Sequence, residues 1–491
     1  MQGGVFQHGV ASGDPLTDAI VLWTQVTTAD GSVPVTWTLA RDRDLKDVVA
    51  SGEATAEAEH DHTVHVDVRN LESSQELYYG FSALGSESPV ARTRLLPENP
   101  DRIRFATCSC ARFDAGYFNA YRRIAAREDL NFLLHLGDYI YETSNTPPKN
   151  QVPSANIGRP FEPQGECVTL DDYRTRYRQY RRDPDIQALH HAIPLIPTID
   201  DHELADGAWG GGADAHDESR YGPWSERKAA SFQARWEWHA ARKPNPDDWS
   251  RVFRSVKLGD LAEIFLLDIR SRRHQPALEP EMSDPSRSML GAEQRDWLFA
   301  ALDSSTAAWK LVGSPSIMKR TWQDNAGEPL ATALLKLKLM DEDGEGPDED
   351  QWDGYPVERR AVLERLDRLD DAVVLSADIH VSLAGELTLD DHPVAVEITA
   401  PSLTSQNLDD KLGVERRDEL ILASEQAMVE AFDHIDWCEL ASHGYVVVDV
   451  TSERLRAEWW HVEGVRERAD GEERGAAFEV PRGEIRVVAA S

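Results

Sequence analysis

Apolar and polar positions alternate along the first hundred residues. Val35, Trp37 and Leu39 share one parity, as do Val64, Val66 and Val68, and then Tyr79 and Phe81. A period of two marks strands with one buried face. Turn-forming stretches separate these runs: Ser12-Gly13-Asp14-Pro15, Asp30-Gly31 and Ser51-Gly52. Several short strands in about a hundred residues predict an all-β sandwich of immunoglobulin or fibronectin type over residues 1–97. Trp23 and Trp37 are its expected core aromatics, and Leu96-Pro97-Glu98-Asn99-Pro100 has the composition of a linker.

After the linker the period changes. Residues 102–107 read as a strand, Tyr117, Tyr121, Ile124 and Ala125 recur at helical spacing, and 132–136 is an apolar run of buried-strand length. This strand–helix–strand unit predicts a parallel pair with a right-handed crossover. Further apolar runs fall at 195–199, 262–267, 309–312, 372–375 and 394–398, and 445–450 with 455–460 reads as a closing hairpin. The pattern is therefore α/β over a second domain, residues 98–491.

Composition narrows the function. The chain of 491 residues carries 52 basic and 87 acidic side chains, so 52 − 87 = −35. That balance disfavours nucleic acid and anionic lipid as partners, both of which need basic surface. It leaves small anions open, because metal ions reverse the sign locally. No run reaches the roughly 18 apolar residues of a membrane span. The opening Met1-Gln2-Gly3-Gly4 lacks the basic and apolar regions of a signal peptide, which fits a cytoplasmic protein or a processed exported one. Cys108, Cys110, Cys167 and Cys438 are too few for a disulfide scaffold. Cys167 and Cys438 are either a pair, in an oxidising compartment, or separate thiols. Residues 341–354 hold eight acids and read as a solvated loop, with spacing unlike an EF-hand. His60, His62 and His65 read as surface positions on an alternating strand.

The chemistry gathers where apolar runs end. Cys108 closes one, Gly137-Asp138-Tyr139-Ile140-Tyr141-Glu142 follows another, Asp200-Asp201-His202-Glu203 a third, and Asp378-Ile379-His380 a fourth. Active sites of open α/β sheets lie at the carboxyl ends of strands. Each cluster alone is ordinary: a Gly-Asp turn, a buried thiol, a helix cap. Their joint recurrence points to one cleft. A Gly-x-Ser-x-Gly elbow, a Gly-x-x-x-x-Gly-Lys-Ser/Thr loop and a His-x-Lys pair are all absent.

The set resembles the PhoD-type alkaline phosphatases, within the calcineurin-like metallophosphoesterases. The matching elements are 9–15, 105–108, 136–142, 200–203, 267–270, 352–356 and 376–380. The resemblance implies a four-layer α/β/β/α catalytic domain after the sandwich, ferric iron with calcium (two calcium ions), and export by the twin-arginine route to the periplasm, cell surface or medium. It implies hydrolysis of small phosphate esters by metal-bound hydroxide, as phosphatase or phosphodiesterase, with phospholipid headgroup release as the alternative. With Asp138 bridging, Cys108, Tyr141 and His380 offer thiolate, phenolate and imidazole, which suit a trivalent transition metal. Asp201 and Asp378 complete an all-oxygen site that suits calcium or magnesium, calcium being the ion the resemblance implies. Asp200 or Asp353 would serve the second calcium. Cys108 is favoured over Cys110 because it directly follows Phe-Ala-Thr. His202 is the candidate general acid. Arg112 is the candidate phosphate contact, with Arg270 second or else paired to Asp268.

Overall fold

We describe a computed structural model over residues 4–73, 76–146, 157–245, 247–322, 326–341 and 346–490. Its frame is two large sheets. The first runs, edge to edge, Val488–Ala489, Glu472–Pro481, Arg454–Val462, Gly444–Thr451, Arg102–Cys108, Leu133–His135, Leu195–Pro197, Val10–Gly13, Ala19–Gln25, Thr63–Arg69. The second runs Arg254–Leu258, Ala262–Leu266, Trp309–Gly313, Ala372–Ser376, His392–Thr399, Ser382–Leu389, Ile435–Glu439. Arg102–Cys108 and Leu133–His135 are parallel, with Leu133 opposite Ala106, as their connecting helical pattern predicts. Gly444–Thr451 and Arg454–Val462 form the closing hairpin.

One core joins the two sheets. Ile103, Phe105, Leu134 and Val448 of the first meet Ile264, Leu311, Leu375 and Ile398 of the second. Helical residues Tyr121, Tyr177, Ile186 and Leu189 cover the outer side of the first sheet, and Leu298, Leu302, Val362 and Leu366 that of the second. Strands buried on both faces explain why the sequence shows continuous apolar runs here rather than alternation.

The N-terminal region is all β but does not stand apart. Its strands Val10–Gly13, Ala19–Gln25 and Thr63–Arg69 extend the first sheet, with Gly13 paired in parallel to Leu195. Its other strands, Ser32–Ala40, Val48–Glu57, Glu76–Ala83, Ser86–Glu87 and Ala91–Arg94, form a third sheet. Ile20, Leu22 and Val64 share a core with Val35, Tyr79 and Phe81. The expected core aromatics divide. Trp23 is fully buried but belongs to the helix-side core, under the Arg181 guanidinium at 4.2 Å. Trp37 is only half-buried and covers Gly52.

The three histidines also separate. Only His65 lies on Thr63–Arg69, while His60 ends a 3-10 turn and His62 has φ +54°. All four cysteines are buried and free, Cys167 and Cys438 in different cores. Among the described residues no helix is long and apolar enough to cross a membrane.

Candidate active site

The carboxyl ends of strands from both sheets converge on one cleft of about 340 Å³. Leu133–His135 delivers Asp138 and Tyr141, Leu195–Pro197 delivers Asp200, Asp201 and His202, and Ala372–Ser376 delivers Asp378 and His380. Carboxylate oxygens of Asp138, Asp200, Asp201 and Asp378 lie within 4.8 Å of one another, and Asp138 and Asp201 form a second such group with His202.

The backbone is bent to do this. Cys110, Asp138, Asp378 and His380 all have left-handed φ, from +56° to +73°. Non-glycine residues rarely adopt this region, and such strain persists where surrounding bonds over-determine it. Glu203 supplies those bonds. Its carboxylate accepts from the backbone N–H of Asp138 (2.9 Å), Tyr139 (2.6 Å) and Asp200 (2.8 Å), so one side chain fixes two of the converging loops together. Gly137 precedes Asp138 with φ +100°, and a Cβ there would stand 2.3 Å from the Asp200 nitrogen.

His202 sits between acids. Its Nδ1 lies 2.7 Å from Glu142 Oε2, and the other Glu142 oxygen accepts from the Asp206 N–H. Burial lowers the imidazolium's pKa, but the charges of Asp138, Asp201 and Glu142 outweigh it and hold the group well above its ordinary value. Tyr141 Oη donates to Asp138 Oδ2 at 2.9 Å and accepts from Ser405 Oγ at 2.6 Å. Its ring lies 3.9 Å from that of His202. Arg112 lines the cleft, anchored to Asp114 at 2.8 Å.

Two placements bear on the site. Cys108 follows strand parity into the helix-side core with Ala106 and Tyr121, a core that Cys110 also joins. Cys110, beyond the strand end, is the cysteine beside the acids: its Sγ is 3.9 Å from the Asp378 carbonyl, and the charges of Asp138 and Asp378 add to burial in raising its thiol pKa. Arg270 does not pair its guanidinium with Asp268, which instead accepts from the Arg270 backbone N–H at 3.1 Å. The guanidinium is fully buried and bonds Asp200, Asp350 (2.6 Å) and Asp378 (3.1 Å).

Asp350 comes from the stretch expected to be solvated. It is clamped by Arg270 and by Arg273 at 2.5 Å, and these two guanidinium groups overcome burial to hold its carboxyl far below the ordinary range. Neighbouring Gln351 donates to Asp378 at 2.6 Å. Residues 342–345 of that stretch lie outside the described residues. Asp353 is buried away from the cleft beside Arg359, whereas Asp200 is in the cluster.

Glu142 and Glu203 stand in the recognisable motifs without a role legible from spacing. Ser405, Asp350, Lys338 and Lys411 carry no sequence signal. The loop holding Ser405 reaches the site because its backbone N–H and those of its neighbours close on Ser109 and Cys110.

Comparisons agree with this geometry. A model of the PhoD-like phosphatase family matches residues 105–459, and a model of that family's N-terminal domain matches residues 1–97. Alkaline phosphatase D of Bacillus subtilis (strain 168) is 34% identical over 412 residues, 78% of this chain and 66% of that protein, slightly under two thirds of its length. A solved structure described as that of PhoD superposes with a TM-score of 0.85 at 29% identity, covering 100% of this chain and 93% of that one.

Proposed function

Because the chain belongs to the PhoD-like phosphatase family, we propose that it hydrolyses phosphate esters in the cleft between Asp138 and Asp378 with metal ions bound there. The observation that carries this reading is the convergence of four aspartates and His202 from three strand ends. Residues 1–97 and 98–491 are read as the two units of this enzyme, the first a sandwich sharing a sheet with the second. The helices flanking the paired sheets support a four-layer arrangement.

The donor set fits metal. Asp200 Oδ2 is buried with no hydrogen-bond partner. Among the described residues, the guanidinium groups ion-paired to Asp200, Asp201, Asp350 and Asp378 are those of Arg270 and Arg273, and Asp138 pairs with neither. Buried carboxylates of this number need further cations. Cys110, Tyr141 and His380 with Asp138 would hold ferric iron, and Asp138, Asp201 and Asp378 would hold calcium, with Asp200 the nearest donor for a second. Those ions would supply Lewis acidity and an activated water.

The chain's own groups do the rest. Arg112, held by Asp114, presents its guanidinium to a phosphoryl oxygen. Glu142 fixes Nδ1 of His202, which leaves Nε2 to give a proton to the departing alkoxide. Glu203 keeps the ligand loops in register. The family's export route and the small-ester substrate class carry over as part of this reading.

Metal analysis with ester assays tests it. Purified protein should contain iron and calcium, absorb visible light through phenolate or thiolate charge transfer, and release p-nitrophenol from p-nitrophenyl phosphate or its bis-ester. Cys110→Ser should lose the iron and its absorbance, while Cys108→Ser should keep both. Iron retained in Cys110→Ser and lost in Cys108→Ser would reverse the assignment of the thiolate.

A further inference from the structure

None of the residues in the loop after His392–Thr399 belongs to the acid cluster. Yet this loop touches each of the three residues assigned to iron beside Asp138. The Ser405 hydroxyl lies 2.6 Å from Tyr141 Oη. The Gln406 carbonyl lies 3.0 Å from His380 Nδ1. The Cys110 carbonyl accepts the backbone N–H of Thr404 at 3.2 Å and that of Ser405 at 3.3 Å. Three successive residues thus reach Cys110, Tyr141 and His380, which leave three different strands.

The loop is itself pinned. Leu403 N–H donates to the Ser109 carbonyl and Gly444 N–H to the Ser402 carbonyl, both at 3.0 Å. His443 Nε2 donates to the Ser405 carbonyl at 3.0 Å, and Ser402 Oγ lies 2.7 Å from the same oxygen. Ser402, Thr404, Ser405 and Asn407 are all buried.

Each contact has a direction. A carbonyl only accepts, so Gln406 fixes the proton of His380 on Nδ1 and leaves Nε2 for a metal. The Ser405 hydroxyl has one hydrogen and two acceptors in reach, Tyr141 Oη and, at 3.2 Å, the Cys110 carbonyl. That carbonyl already holds two N–H groups, so the hydroxyl hydrogen goes to Tyr141. Tyr141 Oη in turn donates to Asp138 Oδ2. As a phenolate on a metal it has no hydrogen to give, and the contact from Ser405 remains.

We propose that Ser405 is a positioning residue whose hydrogen bond to the Tyr141 phenolate sets the electron density this ligand gives to iron. This rests on the ferric site read above for Cys110, Tyr141 and His380. A hydrogen bond draws charge from the phenolate oxygen, which weakens it as a donor and raises the energy of charge transfer to the metal. Ser405 acts through Tyr141, and the loop around it keeps the hydroxyl on target.

The test is spectroscopic. Iron-loaded wild type should show a visible phenolate band, with tyrosinate ring modes in its resonance Raman spectrum. Ser405→Ala at saturating iron should keep the band, move it to longer wavelength and lower the ferric reduction potential. Its iron binding should weaken by about 10–100-fold. Ser405→Thr keeps the hydroxyl and should return the band to its wild-type position. Thr404→Val removes a neighbouring hydroxyl that bonds the Arg112 carbonyl instead, and should leave the band unmoved. Wild type supplies a measurement that needs no variant: the phenolate C–O stretch should shift between H2O and D2O. A band unmoved in Ser405→Ala, the alanine shift repeated in Ser405→Thr or Thr404→Val, or a stretch indifferent to D2O overturns the role of Ser405 and leaves the iron reading intact. Iron-loaded wild type without a phenolate band overturns both.

Discussion

His202 shows how a single side chain is tuned. Its ring is held from one side by Glu142 and tilted against that of Tyr141, and the surrounding carboxylates raise its pKa above the ordinary value. A proton donor so placed matters most when the leaving group is a poor one. His202→Asn should lower kcat/KM for alkyl phosphate esters by roughly 10²–10⁴-fold. The same variant should lose far less on p-nitrophenyl esters, whose phenolate departs without a proton. A uniform loss on both would assign His202 to structure instead. At this scale the sequence was a good guide to residue type and a poor one to direction. Asp138, Tyr141, Asp201, His202, Asp378 and His380 all line the cleft. Spacing favours Cys108, whereas the left-handed turn at Cys110 brings that thiol beside Asp138 and Asp378.

Elements explain why the ligands meet. Each loop leaves a buried strand, and those carrying Asp138, Asp378 and His380 turn through left-handed positions. Glu203 is the central catch, with three backbone donors on two oxygens. Glu203→Gln would aim an amide N–H at one of those donors and lose a charge-assisted contact. Hydrogen bonds to charged groups are worth about 1.5–3 kcal/mol each, so we expect a loss of at least about 2 kcal/mol in urea unfolding, with weaker metal retention. Wild-type stability in that variant would show that the loops hold their shape without it.

The elements themselves were legible where burial is one- or two-sided along a regular strand. The parallel pair, the closing hairpin and the strand ends follow from period and run length. The union of Val10–Gly13 with Leu195–Pro197 does not, since pairing between Gly13 and Leu195, distant in sequence, leaves no periodic trace. The roles of Asp350 and Ser405 were hidden for the same reason: each reaches the cleft through loop closure, and an acidic stretch reads as surface until a buried arginine is seen to clamp it.

Across the whole molecule the net charge of −35 and the cleft are separate matters. The surface carries most of the excess, while the cleft concentrates a few acids whose protonation is linked to folding. Burial raises the carboxyls of Asp138, Asp200 and Asp378 above their ordinary range, and raises Asp206 and Glu203 too. Asp201 and Asp350 move down under nearby cations. A carboxyl with a raised folded pKa binds more proton folded than unfolded, so its contribution is present at low pH and is lost as pH rises above about 4 towards the folded value. Chelated, metal-free protein should therefore lose thermal stability as pH rises above about 4. Saturation with iron and calcium should flatten that slope and raise Tm, since a ligand at a hundredfold its Kd adds about 2.7 kcal/mol. A metal-free protein that gains stability over the same range would remove the acid cluster as its cause.

The central strand Arg102–Cys108 has Leu133–His135 on one side and Gly444–Thr451 on the other. The order of synthesis gives this a further meaning. One flank of the strand is available almost at once, while the other emerges about 340 residues later, a wait of roughly 20–70 s at 5–20 residues per second. Cys110 leaves the end of this strand, and Asp378 and His380 also emerge late. A nascent chain therefore carries Asp138, Asp200 and Asp201 without the rest of the cleft. The proposed metal cluster would therefore fill only in the finished chain, and a ribosome that stalls anywhere before Thr451 leaves the first sheet open along its middle.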